Sequence, residues 1–265
     1  MKMSVSTAVF IFVLALFSIS FAAEIPTDEY TEVTGYGEPG QSFSKGIRAA
    51  ELNAYRKAAE EINSFQLDSD STVEEGITQN DKIATRIRTT IQRAKILDEG
   101  RQSDGIFYAK VRVYIWGRNN NSVASAIFEK DEPVKPFPEP QFPQPVSASG
   151  SVTNNNYTGI IIDCRGLGLT RAMSPVIKNA DGQSIYGHEN LNYDAIIVQG
   201  MASYSASTTD NVSRAGSNPL TIKAVNVDGL GAKCNPVVSN EDASKILSAN
   251  QSAHFLDKCA VVFIQ

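Results

Sequence analysis

Six of the eleven prolines fall between Pro133 and Pro145, in the run EPVKPFPEPQFPQP, and no other stretch constrains the fold as strongly. Proline lacks the N–H that a helix or ladder needs and restricts the residue before it, so this run sustains neither an interior helix nor a central strand. Asparagines precede it at 119–121, and the polar residues SASGSVTNNN follow it to Asn156. Residues 119–156 therefore read as a polyproline II spacer. At about 3.1 Å per residue, its proline core would hold two domains about 40 Å apart. The alternative is a docking peptide, with Phe137 and Phe142 as anchors in a partner's groove. Either way the chain divides into residues 23–118 and 157–265, each long enough to bury a core.

The first 22 residues read as an address. Lys2 gives a basic start, Val5 to Phe17 an apolar run, and Ser20-Phe21-Ala22 a small-x-small exit, so cleavage after Ala22 is expected. The first cysteine is Cys164, which leaves no new N-terminal cysteine for a lipid. The mature chain is expected to be soluble, without a membrane span, in the periplasm or at the outer-membrane periphery of a bacterium. With 24 basic and 29 acidic residues spread along the chain, no electrostatic footprint for nucleic acid appears.

In the first part, Glu29 to Gly35 alternates as a short strand. Ile47, Ala50, Ala54, Ala58, Ile62 and Phe65 then form one helical stripe. Its small residues suit a helix laid closely over a sheet. Thr72 to Ile77 reads as a strand, Ile83, Ile87 and Ile91 as a second helix, and residues 94–101 and 106–116 as a hairpin turning at Ser103-Asp104-Gly105. The second part shows β-branched runs at 159–164, 194–201, 220–227 and 259–264, and a helix from Ser239 to Ala249. The fold class is α+β: two small domains, each a mixed or antiparallel sheet packed with helices.

Gly35-x-Gly37-x-x-Gly40 has the spacing of a dinucleotide loop. The strand before it is charged, Pro39 removes an N–H, and Glu60 and Glu61 lie inside a helix rather than at a strand end, so the motif reads as a turn and no cofactor is expected. His188 and His254 have no ligand-spaced partners, and no metal site is expected. No serine elbow occurs. Cys164, Cys234 and Cys259 are expected as buried thiols or one bridge. Asp163 and Arg165, at a strand end, form a local pair or the start of a binding site, because loops at strand ends carry function.

The entry Thr34-Gly-Tyr-Gly37, the alanine-striped helix and the Asp104 to Val113 hairpin resemble the N-terminal domain of flagellar assembly protein T and the related twenty-kilodalton envelope lipoproteins. The resemblance covers about a third of the chain and implies an α/β module of the bacterial envelope, periplasmic and ring-forming in the flagellar members. Asp163 to Leu169, Ala172 to Pro175 and Ser239 to Ala243 resemble a companion domain of exported proteins, with no activity attached. The expected function is a non-enzymatic envelope protein, a structural or assembly component contacting other envelope or flagellar-type proteins. The alternatives are an enzyme with its site near Asp163, Arg165 and Asp194, or a small-ligand or glycan-binding module in the second part, for which the tyrosines show no clustered platform in sequence.

Overall fold

The computed structural model describes residues 30–117, 121–141, 156–210 and 212–265. The cleavage point at Ala22, the leader before it and Phe142 lie outside the described residues.

The alternating residues Tyr30–Gly37 form β1, and the alanine-striped helix α1 spans Phe43–Asn63. Helices α2 (Val73–Gln79) and α3 (Asp81–Gln92) follow, and then the hairpin strands β2 (Lys95–Arg101) and β3 (Phe107–Tyr114). The strands pair antiparallel in the order β1-β3-β2. Helix α1 lies across one face of this sheet, with Ala50, Ala54 and Ala58 fully buried. The glycines of the sequence motif explain why it lies so close. A Cβ at Gly35 would fall 2.7 Å from Ala54 Cα and nearer still to Ala54 N and Ala50 O, and one at Gly37 would strike Gly46 O. Two motif glycines thus meet helix backbone, whereas Gly40, at φ 82°, serves the turn.

The expected strand at Thr72 to Ile77 is instead α2. Thr72 and Glu75 form a reciprocal capping box, with Glu75 N donating to Thr72 Oγ1 at 3.3 Å and Thr72 N to Glu75 Oε2 at 2.7 Å. These two bonds satisfy helix-end donors that a strand would leave open.

The expected spacer is also corrected. Within it, Val123–Ile127 form a short helix, α4, capped by Ser122, with Val123, Ala124, Ala126 and Ile127 buried. The apolar residues of this segment, read with their polar neighbours, were too few to show a period. The two parts are not held apart. Met173 N donates to Gln66 O at 3.0 Å, Ser174 N to Leu67 O at 2.7 Å, and Gly117 N to Ile197 O at 2.6 Å. Trp116 packs on Gly200, where a Cβ would lie 2.9 Å from the indole. One continuous apolar core runs from Ile62 and Phe65 to Ile160, Phe255 and Phe263.

The second part holds two sheets. Its strands are β4 (Gly159–Asp163), β5 (Ile177–Lys178), β6 (Ser184–Tyr186), β7 (Ser203–Ser205), β8 (Pro219–Lys223), β9 (Asn226–Asp228), β10 (Asn235–Val237) and β11 (Val261–Ile264). Both have four strands: one, β7-β11-β4-β8, is parallel throughout, and the other, β6-β5-β10-β9, is mixed. Parallel pairing accounts for the continuous apolar runs, because β4 and β11 are covered on both faces. Helix α5 (Tyr193–Gln199) occupies the run expected as a strand at Asp194 to Met201. Asn192 caps it, accepting from Asp194 N at 2.8 Å, and Gly200 at φ 76° ends it. A run of this length fits either element, and the cap decides. The expected strand 220–227 breaks after Lys223 and resumes as β9 in the other sheet. Helix α6 (Asn240–Ala253) begins where expected, capped by Ser239, whose Oγ accepts from Asp242 N at 3.0 Å.

Candidate interaction surfaces

Asp163 closes β4 at the carboxyl edge of the parallel sheet. Arg165 Nε donates to its Oδ1 at 2.9 Å and Nη2 to its Oδ2 at 2.6 Å, and the Arg165 backbone N–H donates to Oδ1 at 3.1 Å. This fork holds the Asp163 carboxyl below its ordinary pKa, with Lys223, opposite in register, adding to the effect. Both oxygens are engaged, so the pair braces the turn after β4. Asp194 sits in the first turn of α5, and among the described residues no hydrogen bond or ion pair joins it to Asp163 or Arg165.

Phe137 is brought to a different place from the one a docking peptide would give it. It stacks on Tyr186 of the same chain, with ring centroids 6.5 Å apart and planes within 4°.

The cysteines are three buried free thiols. Burial pushes the pKa of Cys164 and of Cys234 up to about 12 and that of Cys259 up to about 11. His188 Nδ1 lies 3.4 Å from Ser174 Oγ, and His254 takes the left-handed position ending α6. Among the described residues no three His, Cys, Asp or Glu side chains gather as a metal set.

A feature missed in sequence lies on the face of the first sheet turned away from α1. Register places Tyr30 opposite Tyr114 at one end and Tyr36 opposite Tyr108 at the other, with Glu32, Arg112, Lys110 and Lys95 between. The Tyr30 and Tyr114 rings meet edge to face at 6.2 Å, and the Arg112 guanidinium lies 3.8 Å over the Tyr30 ring. Arg112 Nε donates to Glu32 Oε1 at 2.9 Å, and Lys110 pairs with the other oxygen. These cations lower the Glu32 pKa, and Glu32 raises that of Arg112. Tyr108 donates to Asp98 Oδ2 at 3.2 Å. The free edge of β1 is capped from α1: Asn53 Oδ1 accepts from Tyr36 N at 3.1 Å, and Lys57 Nζ donates to Thr34 O at 3.1 Å. These contacts occupy the Gly37 end of the β1 edge, while the face stays open. The tyrosine alternation is visible in sequence, but their gathering depends on β1 pairing with the distant β3.

Two family models match this chain. Residues 22–114 match the LPP20 lipoprotein family, and residues 159–265 match the second domain of Treponema pallidum Tp0624. No curated protein matches it. The matches support an envelope-lipoprotein-type N-terminal domain followed by an uncharacterised C-terminal domain.

Proposed function

We propose that the protein is a non-enzymatic, exported envelope protein of the periplasm or outer-membrane periphery, working as an assembly component through contacts with other envelope or flagellar-type proteins. The observation that carries this reading is the tyrosine-cornered face of the β1-β3-β2 sheet. Tyrosine and arginine are the side chains most enriched at the energetic centres of protein interfaces. Here Arg112 is held in place by Glu32 and by the Tyr30 ring, so little side-chain freedom is left to lose on binding. The match of residues 22–114 to a lipoprotein family supports the envelope setting. The bidentate pairing of Asp163 with Arg165 and the burial of every thiol support a role without chemistry at those groups.

The test is site-specific photo-crosslinking in intact envelopes from positions 36 and 108, with position 221 on β8 as a control. Defined protein adducts from the sheet face, weakened by Arg112→Ala, are the expected result. No adduct from either position 36 or position 108 would overturn the reading.

A further inference from the structure

The proline-rich segment, expected to be a spacer, lies along the second part in an extended path with a specific set of contacts. Lys135 N donates to Glu189 O at 2.7 Å. Lys135 Nζ pairs with the Glu189 carboxylate at 2.6 Å. Asn190 Nδ2 donates to two successive carbonyls, Lys135 O at 3.3 Å and Pro136 O at 3.2 Å. The Phe137 ring, between Pro136 and Pro138, runs parallel to and offset from that of Tyr186, whose hydroxyl is fixed by donation to Met201 O at 2.6 Å. Beyond these, Gln251 Nε2 donates to Glu139 at 3.1 Å and Gln141 Nε2 to Gln183 at 2.9 Å.

We propose that this groove is a recognition site for an extended cation-proline-aromatic-proline segment of a partner protein, and that residues 133–141 are a built-in occupant which the partner's segment displaces. The seated segment shows what the groove reads. The prolines on either side of the aromatic fix φ, so a ligand arrives already extended and loses little freedom. Asn190 reads backbone carbonyls, which any sequence presents, while Glu189 selects a cation and the Tyr186 ring an aromatic. This is how aromatic-lined grooves take polyproline II ligands.

Two observations favour exchange. Apart from Phe137, the segment is held by polar contacts between exposed groups, and residues 131–136 are themselves exposed. At its Pro133 end the segment borders a small pocket lined by Phe128, Leu191 and Ile196 together with Glu129, Glu132 and Glu189, so its seat is open at that end.

The experiment measures fluorescence anisotropy of a labelled peptide with the sequence PVKPFPEPQ, that of residues 133–141, against the full chain. In the wild-type protein the tethered segment competes at an effective concentration of about millimolar, so the peptide binds weakly. Phe137→Ala weakens the competitor and is expected to tighten peptide binding about tenfold or more. Adding Asn190→Ala reverses the gain, and a peptide with alanine in place of its phenylalanine does not bind. Lys135→Glu, an exposed change that repels Glu189, releases the segment independently should Phe137→Ala fail to fold. Three results would each overturn the proposal: no peptide binding by either folded variant at millimolar concentration, equal affinity in wild type and variants, or a wild-type dimer abolished by Phe137→Ala, which would assign the groove to a second copy of this chain.

Discussion

Replacing Gly35 with alanine tests the packing that organises the first part. The added methyl carbon would lie 2.7 Å from Ala54 Cα and closer still to Ala54 N and Ala50 O. All three atoms are helix backbone, so no rotamer change relieves the clash and α1 has to move back by about 1 Å to restore ordinary contact. A gap of about 0.5–1 Å forfeits a quarter to a half of each dispersion contact it opens. The contacts at stake are those of Ile47, Ala50, Ala54, Ala58 and Ile62, all buried against the sheet. Overpacking costs about 1–3 kcal/mol, and the rigid neighbours place this case near the top, about 3 kcal/mol. At about 2–4 °C per kcal/mol for a chain of this size, the melting temperature falls by about 6–12 °C. Gly40→Ala is the control. It has no neighbour within 4 Å and pays only for its left-handed φ, about 1–2 kcal/mol. Thermal unfolding followed by circular dichroism measures both. A Gly35→Ala melt within about 1 °C of wild type, or a larger loss from Gly40→Ala, would refute the close approach of helix and sheet.

Trp116→Ala removes the indole seated on Gly200 and is expected to cost about 3–5 kcal/mol, lowering one cooperative transition for the whole chain; a second part that melts unchanged would contradict the shared core. Glu32→Gln tests the ion cluster on the tyrosine face. Because the folded-state pKa of Glu32 is lowered, its contribution is fully present above the ordinary value of 4.5 and is lost as pH falls through the lower folded value. The gap in melting temperature between wild type and variant should therefore be present at neutral pH and close in acid, and a gap that persists or widens in acid would sink the argument. The three thiols should resist alkylation in the native protein at neutral pH and all react on unfolding without reductant; mass spectrometry showing fewer than three labels on the unfolded chain would replace free thiols with a bridge.

What could be read from the sequence was what local period and chemistry determine. The stripe Ala50, Ala54, Ala58 and Ile62 has one period over several turns, and the alternation from Phe107 to Tyr114 has another, so α1 and β3 were plain. Helices α2 and α5 read as strands in sequence because seven residues hold too little of either period, although their caps, Thr72 with Glu75 and Asn192, are written in the chain. The tyrosine face was half legible: alternation shows which side chains share a face of one strand, but only the register of Tyr30 with Tyr114 brings the pairs together. Phe137 reads in sequence as an anchor only under the docking alternative, and then in a partner's groove; its stacking on Tyr186 of the same chain leaves no spacing signal.

The stretch between the two family matches is where the parts become one body. Ile115 and Trp116 continue β3 into the common core, Gly117 N bonds to Ile197 O, α4 buries its apolar face, and the segment from Pro133 to Gln141 follows the second part. A free spacer would leave the tyrosine face and the Tyr186 groove to bind independently, each at its own affinity. The shared core fixes their separation instead, so a partner or assembly that touches both makes its second contact intramolecularly. Its avidity can then exceed either contact by about 10² to 10⁴ when the geometry matches, and gains nothing when it does not. If both proposed surfaces bind one assembly, selectivity would come from their spacing, which is set by buried contacts such as that of Trp116 with Gly200.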